Sequence, residues 1–419
     1  MLDDDVAPRA AKGITRRSGL IFGAAGLATA LSSCGDRAAA APSSPTTVGM
    51  PYTVISEPTD LAVQEGIRAW REKFNGPFPL TRLLFGFSGT AELTTPLSAA
   101  LGSTQIEGLR WEGLAKRSTV LRWSGDGPLL SAWGLLRNWL FSDFTVQSGR
   151  AGAQGFYLRS DSGRTNQDGG FDTIETMGAW DYFYGLDGQT STANLNSEIF
   201  WRHCAMSNDA NFASAWLWSG MTPEVSQQNQ FLNYHLEDTK LEGSHGDYLR
   251  FDYGGHLSVD GYASFLHTGD ANGGVPAGRM IYLPRGANGN SVMKLNLDNV
   301  RAELRPNAEG STDSVFLDSA WSDRGAINLT GVDLAGNAFR TGSRTPAVIK
   351  LRSNARLYAV GCELAGHIGL YADAGPRVVL INTEAPYGQG IDATRATDPS
   401  GNGIVRAYDS ASTAGVKII

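Results

Sequence analysis

The sequence predicts an all-β chain wound as a parallel β-solenoid, and three observations carry that expectation. Two apolar positions alternate, a two-residue break follows, and two more alternate, first in Trp139-x-Phe141-x-x-Phe144-x-Val146. Period-two alternation makes each half a strand. The pattern returns about every 30 residues, a period that marks stacked supersecondary units. Further copies are Gly169-x-Phe171-x-x-Ile174-x-Thr176, Ile199-x-Trp201-x-x-Cys204-x-Met206, Asn229-x-Phe231-x-x-Tyr234-x-Leu236 and Leu257-x-Val259-x-x-Tyr262. Later ones begin at Leu295, Ile327, Leu357 and Val378. The break ends in Asp143, Thr173, His203, Asn233, Gly261, Asn299, Gly331, Gly361 and Asn382, and six of these nine are Gly or Asn. Those residues tolerate a left-handed backbone, so every coil is expected to turn a tight corner at the same place.

Composition agrees with this fold and narrows the function. Of 419 residues 51 are glycine, and charged residues make up only 18%. Short strands joined by glycine-rich turns suit an all-β architecture. A solenoid grows by adding coils, so length alone does not call for several domains. The net charge of −7 gives no basic footprint, which argues against nucleic acid as a partner.

The chain opens with Thr15-Arg16-Arg17-Ser18, a short apolar run from Leu20 to Leu31, and Ser32-Ser33-Cys34-Gly35. The run is too short for a bilayer span. The segment resembles a bacterial twin-arginine signal joined to a lipoprotein box. That resemblance implies removal of residues 1–33, acylation of Cys34, and a membrane-anchored lipoprotein facing the periplasm or cell exterior. Residues 34–50, rich in Ala, Pro, Ser and Thr, read as a flexible tether. Residues 51–419 are then the solenoid domain. Cys204 and Cys362 both occupy the third apolar position and are expected to be inert core thiols.

Leu61, Gln64, Ile67, Trp70 and Phe74 have helical spacing, with Thr59 or Asp60 as N-cap. Such a helix would close the apolar end of the first coil. Strands are expected around Leu83–Phe87, Glu92–Thr94, Gln105–Trp111 and Ser118–Trp123. The helix, then Phe85-Gly-Phe-Ser-Gly-Thr-Ala-Glu-Leu, Ile106-Glu-Gly-Leu and Ser118-Thr-Val-Leu-Arg-Trp, resembles the entry to pectate-lyase-like β-helices. The resemblance spans Leu61 to Asp409. It implies a right-handed, single-stranded parallel β-helix with an N-terminal capping helix. It also implies that a third strand in each coil lines a groove for polysaccharide.

Candidate third strands precede most copies of the corner motif, at Leu129–Trp133, Phe156–Asp161, Tyr182–Asp187, Ala215–Ser219, Tyr248–Tyr253, Met280–Leu283, Val315–Ser319, Val348–Ser353 and Leu370–Ala374. Loops of about ten residues adjoin them, a length that usually carries function. With the leucines turned inward, the outward face holds two columns. One is Arg159, Asp187, Trp218, Asp252, Pro284, Asp318, Arg352 and Asp373. The other is Tyr157, Trp216, Arg250, Tyr282, Phe316, Lys350 and Tyr371. Flat rings stack on the C–H faces of sugars, and charged neighbours bind hydroxyls and carboxylates. Exposed strands also favour aromatic and charged pairs for sheet stability alone.

Asp187, Asp252 and Asp318 on alternate coils would stand about 9.6 Å apart, near the carboxyl separation of inverting glycosidases. A lyase would instead need a base such as Arg250, Arg159 or Lys350 and a neutralised uronate carboxylate, a task often given to Ca²⁺; no cofactor is otherwise required. Glu242, His245 and Asp247 form the densest ionisable stretch and are further acid/base candidates. No metal-binding motif is present, and neither the polygalacturonase signature nor a pectate-lyase calcium cluster can be assembled. The expected function is cleavage, by hydrolase or lyase, of an acidic extracellular glycan. Trp216, Trp218, Arg159, Tyr282, Lys350 and Arg352 would bind it. The alternatives are a non-catalytic glycan- or protein-binding lipoprotein, or an epimerase.

Overall fold

A computed structural model describes residues 50–160, 164–188, 196–207, 215–220, 233–243, 246–252, 255–267, 278–284, 293–304, 315–321, 325–335, 347–352, 355–364, 367–370, 377–384, 391–392 and 405–408. Cys34 and the rest of residues 1–49, His245, Tyr371, Asp373 and most of the ten-residue loops lie outside the described residues.

Three long parallel sheets wind around one core. The first runs from Tyr52–Ile55 to Val405–Tyr408, the second from Gly89–Leu93 to Asp333–Ala335, and the third from Pro128–Trp133 to Ile391–Asp392. Each coil adds its strands beside those of the coil before, which makes a right-handed parallel β-helix.

The corners form where the sequence places them. Asp143, Thr173, His203, Gly261, Asn299, Gly331, Gly361 and Asn382 all have positive φ, between 44° and 71°. Their amides continue the ladder across the bend: Thr173 N donates to Arg202 O at 2.8 Å, Gly331 N to Val360 O at 3.0 Å and Gly361 N to Ile381 O at 2.9 Å. Two copies of the motif are corrected. Tyr234 pairs with Ile199 and Leu236 with Trp201, so the fourth corner is Asp238 (φ 48°) rather than Asn233. Thr239 and Leu241, both buried, are then the inward positions of its second half. In the fifth copy Tyr262 extends the corner at φ 66° and is 86% exposed, while Ala263 turns inward in its place.

The core begins wide and narrows. Trp111, Phe141, Phe171 and Trp201 share one rung, with ring centroids 5.5, 5.6 and 6.1 Å apart. Further along, the same rung holds Leu236, Val259, Leu297, Leu329 and Ala359. Cys204 and Cys362 are buried and free, and burial pushes the Cys204 thiol up to about 12, so it stays protonated.

The helix spans Asp60–Glu72, with Thr59 as N-cap accepting from Ala62 N at 3.2 Å. Its buried face is Val63, Gln64, Ile67 and Trp70. Leu61, expected on that face, is 67% exposed instead. The Trp70 indole meets Trp111 edge-on at 5.5 Å and donates to Thr81 O at 2.7 Å, which joins the helix to the end of the aromatic core. Among the described residues no helix is long and apolar enough to cross a membrane.

The corners yield a stability test of opposite signs. A Cβ on Gly361 would meet nothing within 4 Å, so Gly361→Ala carries only the cost of its φ of 62°. That substitution is expected to destabilise by about 1 kcal/mol, and Thr173→Gly to stabilise by a similar amount. Denaturant unfolding of both variants beside the parent checks the pair.

Candidate functional site

Strand pairing settles which residues share a rung on the outward face of the third sheet. Leu158 pairs with Leu186, Leu186 with Ser219, and Ser219 with Phe251; Leu283 pairs with Ser319, and Ser319 with Leu351. One outward column, C-terminal to these positions, therefore holds Arg159, Asp187, Gly220, Asp252, Pro284, Ala320 and Arg352. The other holds Tyr157, Gly185, Trp218, Arg250, Tyr282, Asp318 and Lys350.

Three expectations change. Trp218 and Asp318 belong to the second column, because serines occupy the inward rungs that Leu217 and Leu317 were expected to fill. Asp318 therefore does not continue a line of carboxylates from Asp187 and Asp252. Trp216 and Phe316 are not outward at all. Trp216 is fully buried, its ring 4.9 Å from Tyr184 and 6.4 Å from Trp201. Each third strand has two consecutive buried residues at this place: Phe183–Tyr184, Trp216–Leu217, Tyr248–Leu249, Met280–Ile281, Phe316–Leu317 and Val348–Ile349. The doublet interrupts the alternation, and Trp216 is a core residue.

The corrected columns bring a continuous aromatic floor into view. Tyr157, Tyr182 and Trp218 are half-buried, with successive ring centroids 6.1 and 5.6 Å apart. Glycines make room for these rings. A Cβ on Gly220 would lie 2.1 Å from Trp218 Cζ2, and one on Gly185 would lie 2.6 Å from Tyr182 Cε2. A glycine inside a strand marks such a close approach, and here it lets two rings lie down on the sheet.

Carboxylates flank the floor. Asp187, 8% exposed, accepts from the Tyr157 hydroxyl at 2.6 Å. Burial first, and then this bond, raise the Tyr157 phenol above its ordinary range, so it acts as a neutral donor. Asp252 accepts from Trp218 Nε1 at 2.9 Å and from Arg250 Nε at 2.7 Å. Asp187 and Asp252 lie two coils apart in one column with Gly220 between them, which sets their Cα atoms about 9.6 Å apart. The Trp218 indole lies over that glycine.

Behind Arg250 the face is closed by ion pairs. Arg250 also approaches the Tyr282 ring, 5.7 Å from its centroid. Arg279 lies over the same ring at 3.3 Å from its centroid and binds Asp247 through two nitrogens at 2.8 and 2.7 Å. Burial lowers the pKa of Arg279, but the bonds and charge of Asp247 outweigh it and leave it raised. Arg352 grips Asp318 in the same bidentate way, at 2.5 and 2.8 Å. Asp318, 3% exposed, and Arg352 thus form an ion pair with each other on this face. Asp247 is likewise an internal partner, and Glu242 pairs with Lys240 on the second sheet at 2.8 Å. Lys350 stands on the rung after Asp318, beyond the aromatic floor.

Two buried asparagines hold the strand ends that carry the site. Asn166 Nδ2 donates to Arg159 O at 3.1 Å and to Asn196 Oδ1 at 2.8 Å. Asn196 Nδ2 donates to Leu158 O at 2.9 Å and to Asp187 O at 3.0 Å. The sequence reading missed Tyr182, both glycines and this asparagine pair. The glycines at outward strand positions were the signal that could have found the floor. Among the described residues no group of three or more His, Cys, Asp or Glu could hold a metal ion.

No family model matches the chain, and no curated protein matches it. Solved structures of similar course include the mannuronan C-5 epimerase AlgE6 A-module of Azotobacter vinelandii, at 12% identity and TM-score 0.39, covering 85% of this chain and 95% of that one. The catalytic domain of a GH87 alpha-1,3-glucanase in complex with nigerose is similar at 10% identity and TM-score 0.39, covering 89% of this chain and 71% of that one. Likeness at this level carries no inference about activity.

The indole's seat can be tested directly. Gly220→Ala is expected to lift the Trp218 ring and break its bond to Asp252 while leaving far-UV circular dichroism unchanged. An ¹⁵N spectrum should then show the indole resonance that disappears in Trp218→Phe shifted towards its solvent-exposed position.

Proposed function

We propose that this chain is an exported, lipid-anchored protein that binds an extracellular polysaccharide along the third sheet and cleaves it by hydrolysis. The observation that carries this reading is the floor of Tyr157, Tyr182 and Trp218 with Asp187 and Asp252 at its sides. Sugar rings would stack on the floor, and their hydroxyls would bond to the two carboxylates. The spacing of the carboxylates, about 9.6 Å between Cα atoms, leaves room for a water opposite the scissile bond, as inversion requires. One carboxyl would then protonate the leaving oxygen while the other activates that water. Elimination fits less well at Arg250, one of its three candidate bases beside Arg159 and Lys350, because that guanidinium is already bonded to Asp252.

A second reading, non-catalytic glycan binding, is favoured by one observation. Asp252 has an oxygen engaged by Trp218 and the other by Arg250, as suits a carboxylate that holds a ring in place. The two readings separate on turnover. Wild-type protein incubated with a panel of polysaccharides is expected to release reducing ends without the ultraviolet absorbance of an unsaturated product. Asp187→Asn and Asp252→Asn should each lower that rate by about 10²–10⁴-fold with binding retained. Failure of the wild type to release reducing ends while oligosaccharide still binds would select the binding reading.

The export reading rests on Arg16-Arg17 and Cys34. Replacing both arginines with lysine is expected to leave the protein in the cytosolic fraction. Cys34→Ser should abolish incorporation of labelled fatty acid.

A further inference from the structure

Three arginines on the third-sheet face have carboxylates of their own: Arg250 with Asp252, Arg279 with Asp247 and Arg352 with Asp318. Arg159 is different. Among the described residues it makes no ion pair; its guanidinium carbon lies 4.7 Å from the centre of the Trp133 ring, and its polar partner is the uncharged Tyr157 hydroxyl, within hydrogen-bonding reach. Its Nε is shut away from solvent without a hydrogen-bond partner. The neighbouring carboxylate, Asp187 on the next rung, has an oxygen engaged by Tyr157. A cation fixed over a ring keeps its charge and its planar fork of donors, and that fork matches a carboxylate.

We infer that Arg159 and Trp133 form a subsite for the carboxylate of a uronate unit, next to the aromatic floor, and so make the bound polysaccharide acidic. This rests on the glycan-binding reading of the floor. The remaining geometry agrees. Trp133 is 47% exposed, an unusual exposure for so large a ring, and it pairs with Arg159 across adjacent strands. Asn166 bonds the Arg159 carbonyl from within the core, so the strand end that presents the guanidinium is fixed from behind. An incoming carboxylate would complete on Arg159 what aspartates supply to the other three arginines. Its sugar ring would lie against Trp133, and the chain would run on over Tyr157 and Tyr182.

The test compares uronate oligosaccharides (galacturonate, glucuronate and mannuronate) with the same oligosaccharides after reduction of their carboxyls to alcohols. Binding to the full chain is measured by calorimetry. Wild type is expected to bind at least one acidic form about tenfold more tightly than its reduced counterpart, the scale of a charged hydrogen-bonded pair. Arg159→Gln should erase that preference and leave the affinity for the reduced form unchanged, and Arg159→Lys should restore part of it. Trp218→Ala should weaken both forms alike. Equal binding of acidic and reduced forms by wild type, or equal weakening of both by Arg159→Gln, would overturn the subsite while leaving the floor intact. Absence of binding by either form would overturn the glycan reading and the subsite with it.

Discussion

Everything in this molecule depends on strand register between successive coils. In a parallel ladder successive residues bond alternately to the strand before and the strand after, so a side chain at one rung stands about 4.8 Å from its counterparts. The left-handed corners keep that register, because Asp143, Thr173, His203, Asp238, Asn299, Gly331 and Gly361 each hand their amide to a carbonyl of the next coil. Residues at distant sequence positions therefore become neighbours in columns, and the chemistry of a face is decided by which residues share a column.

The core uses the columns for packing. Large rings fill the first coils, stacked at the spacing the ladder dictates, and the capping helix presses Trp70 onto the open end of that stack. Without the helix, Trp111 and its neighbours would meet water, which is the general difficulty of an open solenoid end. On the outer face of the third sheet the same columns set out an aromatic floor. Glycine rungs leave room for Tyr182 and Trp218 against the sheet, with their ring centroids 5.6 Å apart.

Much of the fold was legible in the sequence because its signals are local and repeated. The two-residue break located eight corners, including Thr173 and His203, whose residue types do not favour a positive φ. Where local pattern met a mimic, it failed. Asn229-x-Phe231 imitates the first half of the motif, yet pairing places Tyr234 and Leu236 there. The candidate site was less legible for a related reason. Ser219 and Ser319 are buried on inward rungs where hydrophobicity alone selects Leu217 and Leu317, and that displaces Trp218 and Asp318 by two residues. The buried doublet that takes Trp216 inside interrupts the alternation within one strand, and no composition rule announces it. Ion pairs such as Arg352 with Asp318 depend on side-chain reach across coils, which a list of columns does not contain.

Polysaccharide binding is proposed for the Trp218 floor, between Asp187 and Asp252. The most direct measurement is a crystal structure of the protein with a bound oligosaccharide that it retains in solution. The expected result is a sugar ring stacked on the Trp218 indole, with hydroxyls bonded to Asp187 or Asp252. An oligosaccharide seated on the first or second sheet, with the Trp218 ring bare, would contradict it.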